Sequence, residues 1–279
     1  MTDSTSPEWY AAIRQIHQRG FEEDWQRHVD QLNTQFRLAG KSRLMLPHLT
    51  LPPPWFNGDI ERLPPNRWVL VVSLNPHIDP NDTSLDRYAF SPQAWWDFWR
   101  GYNLGDRWKG AFFPRLTRLA AACLGESLPT KESIKRFASE RILFVEFCPY
   151  ASERFTIGNW SAAKYVADND KLGFTAAREI RQAIFDRGQP ALVLCNGKFA
   201  TYDVKDHQCG HMERVRITAL DDERLSMSIW SAFFSSAGRT FPVVGFNQLG
   251  RRGSSPAIEA ALIERFVRQA PLRIQALSG

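Results

Sequence analysis

The spacing of apolar positions changes three times along the chain, and each change predicts a different kind of element. Between residues 7 and 40, Trp9, Ile13 and Ile16, then Trp25, Val29, Leu32 and Phe36, recur near the 3.6-residue period of a helix. Gly20 lies between the two sets and predicts a break into two helices. Pro47 to Pro65 then holds six prolines, including Pro52-Pro53-Pro54. Proline fixes φ and removes a backbone donor, so this stretch predicts an extended wrap, neither helix nor sheet.

Beyond it come four short runs that are apolar on both faces: Trp68 to Leu74, Ile142 to Val145, Ala191 to Gly197, and Phe241 to Asn247. Each is closed by Asn, Pro or Gly, which is how strands buried inside a parallel sheet read. Helical spacing over 92–101 and 112–124 separates the first two runs, 175–187 precedes the third, and 256–270 follows the fourth. Strand alternating with helix predicts an α/β fold: a three-layer αβα sandwich on a central, mainly parallel four-stranded sheet with right-handed crossovers. Met212 to Ile217 and Arg224 to Trp230 alternate around Asp221-Asp222 and predict a β-hairpin inserted before the fourth strand. Residues 1–66, the helices and the wrap, are expected to pack on the α/β domain of 67–279 as one compact unit.

Composition narrows the class only a little. The 279 residues carry 35 Lys and Arg against 30 Asp and Glu, a formal charge of +5, and are 43% hydrophobic. That excludes overall disorder and permits a polyanionic partner without requiring one. No apolar run approaches the roughly 20 residues of a membrane span. The N-terminus shows no basic or apolar leader, and Cys123, Cys148, Cys195 and Cys209 form no CxxC pair, so a reduced, cytoplasmic setting is expected. His207-Gln208-Cys209-Gly210-His211 offers three alternate ligands, short of the four a structural zinc takes, so no metal is expected.

Ligands of open α/β sheets bind beyond the carboxyl ends of the strands. Four segments are therefore expected to converge: Asn75-Pro76-His77, Glu146 to Pro149, Asn196-Gly197-Lys198, and Asn247 to Arg252. The chain lacks the glycine-rich phosphate loops and the G-x-S-x-G elbow, which argues against those nucleotide-binding and serine-hydrolase routes. Asn75, Pro76 and Asp79 are turn formers, yet the Asn75 amide or the Asp79 carboxylate at a strand end can also hold and polarise water. Trp95 and Trp99, four residues apart, read as core; Tyr88 and Phe90, ahead of that helix, can present a stacking face to a planar ligand. An acid at position 146 is costly unless it pairs with an Arg or reads a ligand's amino group. Arg251 and Arg252 with Ser254, ahead of a helix from Pro256, suit a phosphate grip, although paired arginines are also common on surface loops.

These residues give the chain its likeness. From about Val69 to Ala270 it resembles the uracil-DNA glycosylase superfamily, chiefly the mismatch-specific and single-strand-selective branches. Ser73-Leu74-Asn75-Pro76-His77 takes the place of the motif G-[MI]-N-P-G, Phe90-Ser91-Pro92 with Phe98-Trp99 that of the stacking aromatic and its helix, and Phe144 to Pro149 that of the second strand. Asn247-Gln248-Leu249-Gly250-Arg251 stands where the family has His-Pro-Ser-Pro. The resemblance implies a monofunctional DNA N-glycosylase, a monomer without cofactor, that flips a base out of DNA and leaves an abasic site. It implies Asn75, Asp79 and Asn247 in catalysis, His77, Tyr88, Phe90 and Glu146 around the base, and Lys198, Leu249, Arg251, Arg252 and Ser254 on DNA, Leu249 as a wedge.

The departures carry information of their own. Asn247 replaces the family's last-motif His, His77 stands in the gating position, and Glu146 replaces an Asn. A carboxylate there repels uracil O4 and favours an amino group, so a cytosine-type base, modified at C5 as in phage DNA, is expected, and anti-phage defence with it. Uracil or damaged-base repair, or an inactive nucleic-acid-binding module, are the alternatives. The cysteine spacing does not match the iron–sulfur members, so no cluster is expected.

Overall fold

The structure, a computed structural model, describes residues 9–46, 48, 50–74, 90–102, 112–152, 159–218, 226–236, 239–249 and 256–277. The predicted N-terminal helical stretch forms α1 (Ala11–Gly20) and α2 (Trp25–Gln35). Gly20 is the last residue of α1, and the wrap crosses it closely: a Cβ there would lie 2.6 Å from the Trp55 ring. The Asp24 carboxylate then accepts from the Arg27 N–H and starts α2 as its N-cap.

Among the described residues seven strands form one mixed sheet, one more than the four parallel strands and the hairpin account for: β1 (Phe56–Asn57), β2 (Val69–Ser73), β3 (Ile142–Glu146), β4 (Leu192–Asn196), β5 (Glu213–Thr218), β6 (Ser226–Ser236) and β7 (Arg239–Phe246). Their order is β1-β3-β2-β4-β7-β6-β5. The four apolar runs are the parallel core β3-β2-β4-β7. Both additions are antiparallel edges. The hairpin joins this same sheet through β6 against β7, and β1 pairs with β3. The wrap therefore does contain a strand. Its prolines stop short of Phe56 and Asn57, whose backbones stay free to pair.

Helices cover both faces. Leu70, Val72, Leu143, Val145, Val193 and Cys195 pack with α1, α2, α3 (Pro92–Arg100), α6 (Trp160–Asn169), α7 (Gly173–Ala183) and α8 (Lys198–Val204). Val69, Val71, Ile142, Phe144, Leu192 and Leu194 pack with α4 (Phe112–Cys123), α5 (Lys131–Arg141) and α9 (Pro256–Leu277). The helices α5, α6 and α8 were not anticipated. Their caps rather than their periodicity mark the first two: Thr130 and Ser133 form a reciprocal capping box, and Asn159 accepts from the Ala162 N–H. The N-terminal segment belongs to the first of these cores, since Ile13, Val29, Leu44 and Trp55 share it with Leu70 and Val193. No helix among the described residues is long and apolar enough to cross a membrane.

Candidate functional site at the carboxyl ends of the parallel strands

The chain enters the parallel core at β2, moves out to β3, then returns past β2 to β4 and β7. The order reverses between β2 and β4, and open α/β sheets bind ligands at that crevice. Register fixes what stands at its rim. Glu146 lies opposite Ser73, and the β2–β4 register, continued by one residue from Val72 and Cys195, sets Ser73 beside Asn196, itself opposite Phe246. Side chains alternate along a strand, so Glu146 shares the face of Ile142 and Phe144, Ser73 that of Val69 and Val71, and Asn196 that of Leu192 and Leu194. Three polar side chains from three adjacent strands thus form a row on the α4–α9 side of the sheet.

All three are buried, at 5% exposure for Glu146, 1% for Ser73 and 2% for Asn196. Ser73 Oγ and Glu146 Oε2 have no hydrogen-bond partner among the described residues. Asn196 Oδ1 accepts a long hydrogen bond, 3.4 Å, from the Leu249 N–H, which ties the segment after β7 to the row. Buried polar atoms are normally satisfied, so two orphans side by side at a strand-end crevice are suited to a ligand's donors and acceptors.

Burial, with no counter-charge, pushes the Glu146 carboxyl up to about 8. The group is therefore a neutral acid at pH 7, not the carboxylate anticipated from sequence. It presents both an O–H donor and a C=O acceptor. The salt bridge considered for it is not made among the described residues. Arg181, fully buried on α7, instead donates from Nη1 to the Glu146 backbone oxygen at 2.9 Å and pairs through Nη2 with Asp203 on α8. Asp203 also accepts from Arg178 Nη2 at 2.8 Å. This ionic brace locks the end of β3 to α8 from the other side of the sheet.

The remaining anticipated residues divide. Asn75, His77, Asp79, Tyr88, Arg251, Arg252 and Ser254 lie outside the described residues. Asn247 and Leu249 are half-buried just beyond β7, and Leu249 packs with the Phe144 face. Lys198 is exposed at the start of α8, its Nζ 5.4 Å from the centre of the Tyr202 ring. Phe90 is not brought to Glu146. Its half-buried ring packs edge-on against Trp95 at 4.9 Å and Phe98 at 5.4 Å, with the core on the opposite face. Trp95 and Trp99 are core, as anticipated. A ring on the Glu146 face comes from Phe113 on α4, 5.0 Å from Phe144. Sequence reading missed Ser73 and Phe113. The place of Ser73 beside Glu146 follows from the β2–β3 register, which spacing along a single run does not carry.

Among the described residues no cluster of His, Cys, Asp or Glu is arranged to hold a metal ion. His207 instead faces Asp203, with Nε2 3.5 Å from Oδ1. No protein-family model matches the sequence, and no curated protein matches it either.

Proposed function

We propose that the chain is a DNA N-glycosylase that holds a flipped-out pyrimidine at the ends of β2, β3 and β4 and hydrolyses its N-glycosidic bond, leaving an abasic site. The observation that carries this reading is the buried, unneutralised Glu146 carboxyl in a row with Ser73 and Asn196. The reading takes the fold as a three-layer αβα sandwich around the four parallel strands, with the hairpin and the N-terminal segment as additions, in a cytoplasmic monomer that needs no cofactor. A flipped base offers its hydrogen-bonding edge to such a row, and the acid's two oxygens match two adjacent edge atoms. Asn75 or Asp79 then positions the attacking water, and Asn247 stabilises charge on the departing base.

The preferred substrate in this reading is a cytosine-type base, including C5-modified cytosines of phage DNA. Glu146 accepts from the exocyclic amine through its carbonyl oxygen and donates its proton to ring N3. Its neutrality supports uracil as a second reading, because the same acid can donate to O4 and accept from N3–H. Proton loss weakens both alike, because the ionised group keeps one bond to each base, from the amine or from N3–H, and repels the other edge atom, N3 or O4. The identity of the released base separates the readings. Excision is measured as alkali-labile sites in DNAs bearing cytosine, C5-modified cytosines or uracil, between pH 6 and 9. Release of cytosine-type bases supports the first reading, and release of uracil alone the second. Salt-sensitive binding without strand scission on any substrate overturns catalysis and leaves a binding module.

A further inference from the structure

Asn196 ends β4 with a side chain whose orientation is decided by one contact: its Oδ1 accepts from the Leu249 N–H at 3.4 Å. Only the oxygen of a side-chain amide can accept from an N–H donor, so this bond turns Nδ2 away from the segment after β7. The backbone around it is held as well. The Gly197 N–H donates to the Phe246 oxygen at 2.9 Å, and Asn196 lies opposite Phe246 in the β4–β7 register. The Phe246 ring is fully buried on the same face and gives the amide no acceptor on that side. On the other side stands Ser73, whose Oγ has no hydrogen-bond partner among the described residues, so the two neighbours do not satisfy one another. Asn196 is 2% exposed, and among the described residues its Nδ2 donates to nothing.

One end of the row therefore holds a buried donor, and the other an acid that both donates and accepts. Their strands, β4 and β3, flank β2, so two strand spacings separate them, about 9.6 Å. A single six-membered ring with a hydrogen bond of about 2.9 Å at either end covers that span. The edge of a pyrimidine carries its groups in the order O2, N3, C4 substituent. O2 is an acceptor in cytosine and uracil alike, whereas the C4 substituent is a donor in cytosine and an acceptor in uracil. A donor at the β4 end suits O2 and opposes the cytosine amine. We propose that Asn196 reads O2 of the bound pyrimidine through Nδ2, with the Leu249 N–H holding the amide in that sense. The assignment rests on the pyrimidine reading of the site, and it fixes which way round the ring lies: O2 toward β4, the C4 substituent toward Glu146. O2 sits on the ring carbon next to N1. When the bond from N1 to the sugar breaks, its electron pair stays with the base and spreads onto O2, so this donor strengthens as the base departs.

The test exchanges oxygen for sulfur at that one atom. The full chain is assayed for excision on single-stranded oligonucleotides carrying one cytosine, 5-hydroxymethylcytosine or uracil, each beside its 2-thio counterpart, and the free bases are titrated by calorimetry. Sulfur is a weak acceptor, so the wild type should bind and excise the 2-thio bases about tenfold less well. Asn196→Leu keeps the bulk and removes the donor, and in that protein the difference between oxygen and sulfur should vanish. Asn196→Ala is the second variant, with the same expectation. A difference that persists in Asn196→Leu and disappears only in Asn196→Ala marks crowding by the larger atom and overturns the hydrogen bond, as does a wild type indifferent to sulfur. An Asn196-dependent sulfur effect on base binding, without excision of any base, keeps the assignment and sinks the glycosylase reading. Excision that ignores sulfur does the reverse, and binding of none of these bases overturns both.

Discussion

Glu146→Gln is the substitution in which the site's physics is most exposed, because it removes ionisation and keeps shape. In the unfolded chain this carboxyl loses its proton near 4.5, in the folded one only near 8. Between those values the unfolded state binds fewer protons than the native state, so stability falls as pH rises. The contribution is intact below pH 4.5 and has been lost by the time the pH passes 8. At about 1.4 kcal/mol per pH unit, the interval from 4.5 to 8 amounts to about 4–5 kcal/mol. Glutamine has no such dependence. Because Oε2 has no partner to lose among the described residues, the variant should match the wild type near pH 4 and exceed it by about 4–5 kcal/mol at pH 8 and above. With roughly 2 °C per kcal/mol for a chain of this size, that is a rise of about 8–10 °C in Tm.

A second buried group shapes the wild-type profile and makes the difference measurement necessary. His17 lies between Phe21, Trp55 and Trp96, and burial pulls it down to about 4, although its Nε2 lies 3.0 Å from the Pro92 carbonyl. A lowered histidine gives stability that is present above pH 6.5 and fades as the pH falls toward 4. From 4.5 to 6.5 the two slopes oppose and nearly cancel, so the wild type alone shows a plateau followed by a decline. Thermal melts of both proteins across pH 4 to 9 subtract His17 and leave Glu146. A Tm difference that stays flat from pH 5 to 8.5 would refute the buried neutral acid, and with it the basis for reading position 146 as a ligand contact.

The histidine makes its own prediction: its ring resonances should stay those of neutral imidazole from pH 7 down to 5, whereas titration near 6.5 would contradict its burial. Ser73→Ala removes a buried hydroxyl without a partner among the described residues, so it should leave stability within about 1 kcal/mol or raise it, while weakening binding of the excised base in calorimetry if the row reads it. Gly245→Ala should destabilise by about 1–3 kcal/mol, because a Cβ there would lie 2.3 Å from Thr201 Cγ2 on α8; chemical denaturation checks this, and a neutral result would mean α8 yields freely.

Legibility from sequence followed the locality of each signal. The strands β2, β3, β4 and β7 are continuous apolar runs, and both their extent and their parallel pairing could be read directly. The two residues of β1 carry no pattern long enough to read, and only their pairing with Val145 and Phe144 makes them a strand. In α5, with Ile134, Phe137 and Ala138 as its buried residues, the apolar stripe is too thin to show periodicity. The position of Glu146 at a strand mouth was legible. Asn196 was among the strand ends expected to converge with it, but Ser73 was not read as its neighbour, because that follows from a register that residue spacing along one run does not contain.

The charge state of Glu146 shows why the site chemistry was the hardest part to read. A buried arginine does lie beside this residue, and from sequence any nearby arginine counts as a counter-ion. But Arg181 comes from α7, on the far side of the sheet from Ile142 and Phe144, and it meets the Glu146 backbone oxygen while its charge is taken by Asp203. The same contact thus fixes the end of β3 and leaves the carboxyl on the other face without compensation. Moving the Arg181 guanidinium through the sheet plane would give the carboxyl a counter-charge and lower the pH at which it ionises. An acid kept proton-bearing and unpaired, in line with a serine and an asparagine at the crevice, offers a donor and an acceptor to a group of complementary pattern.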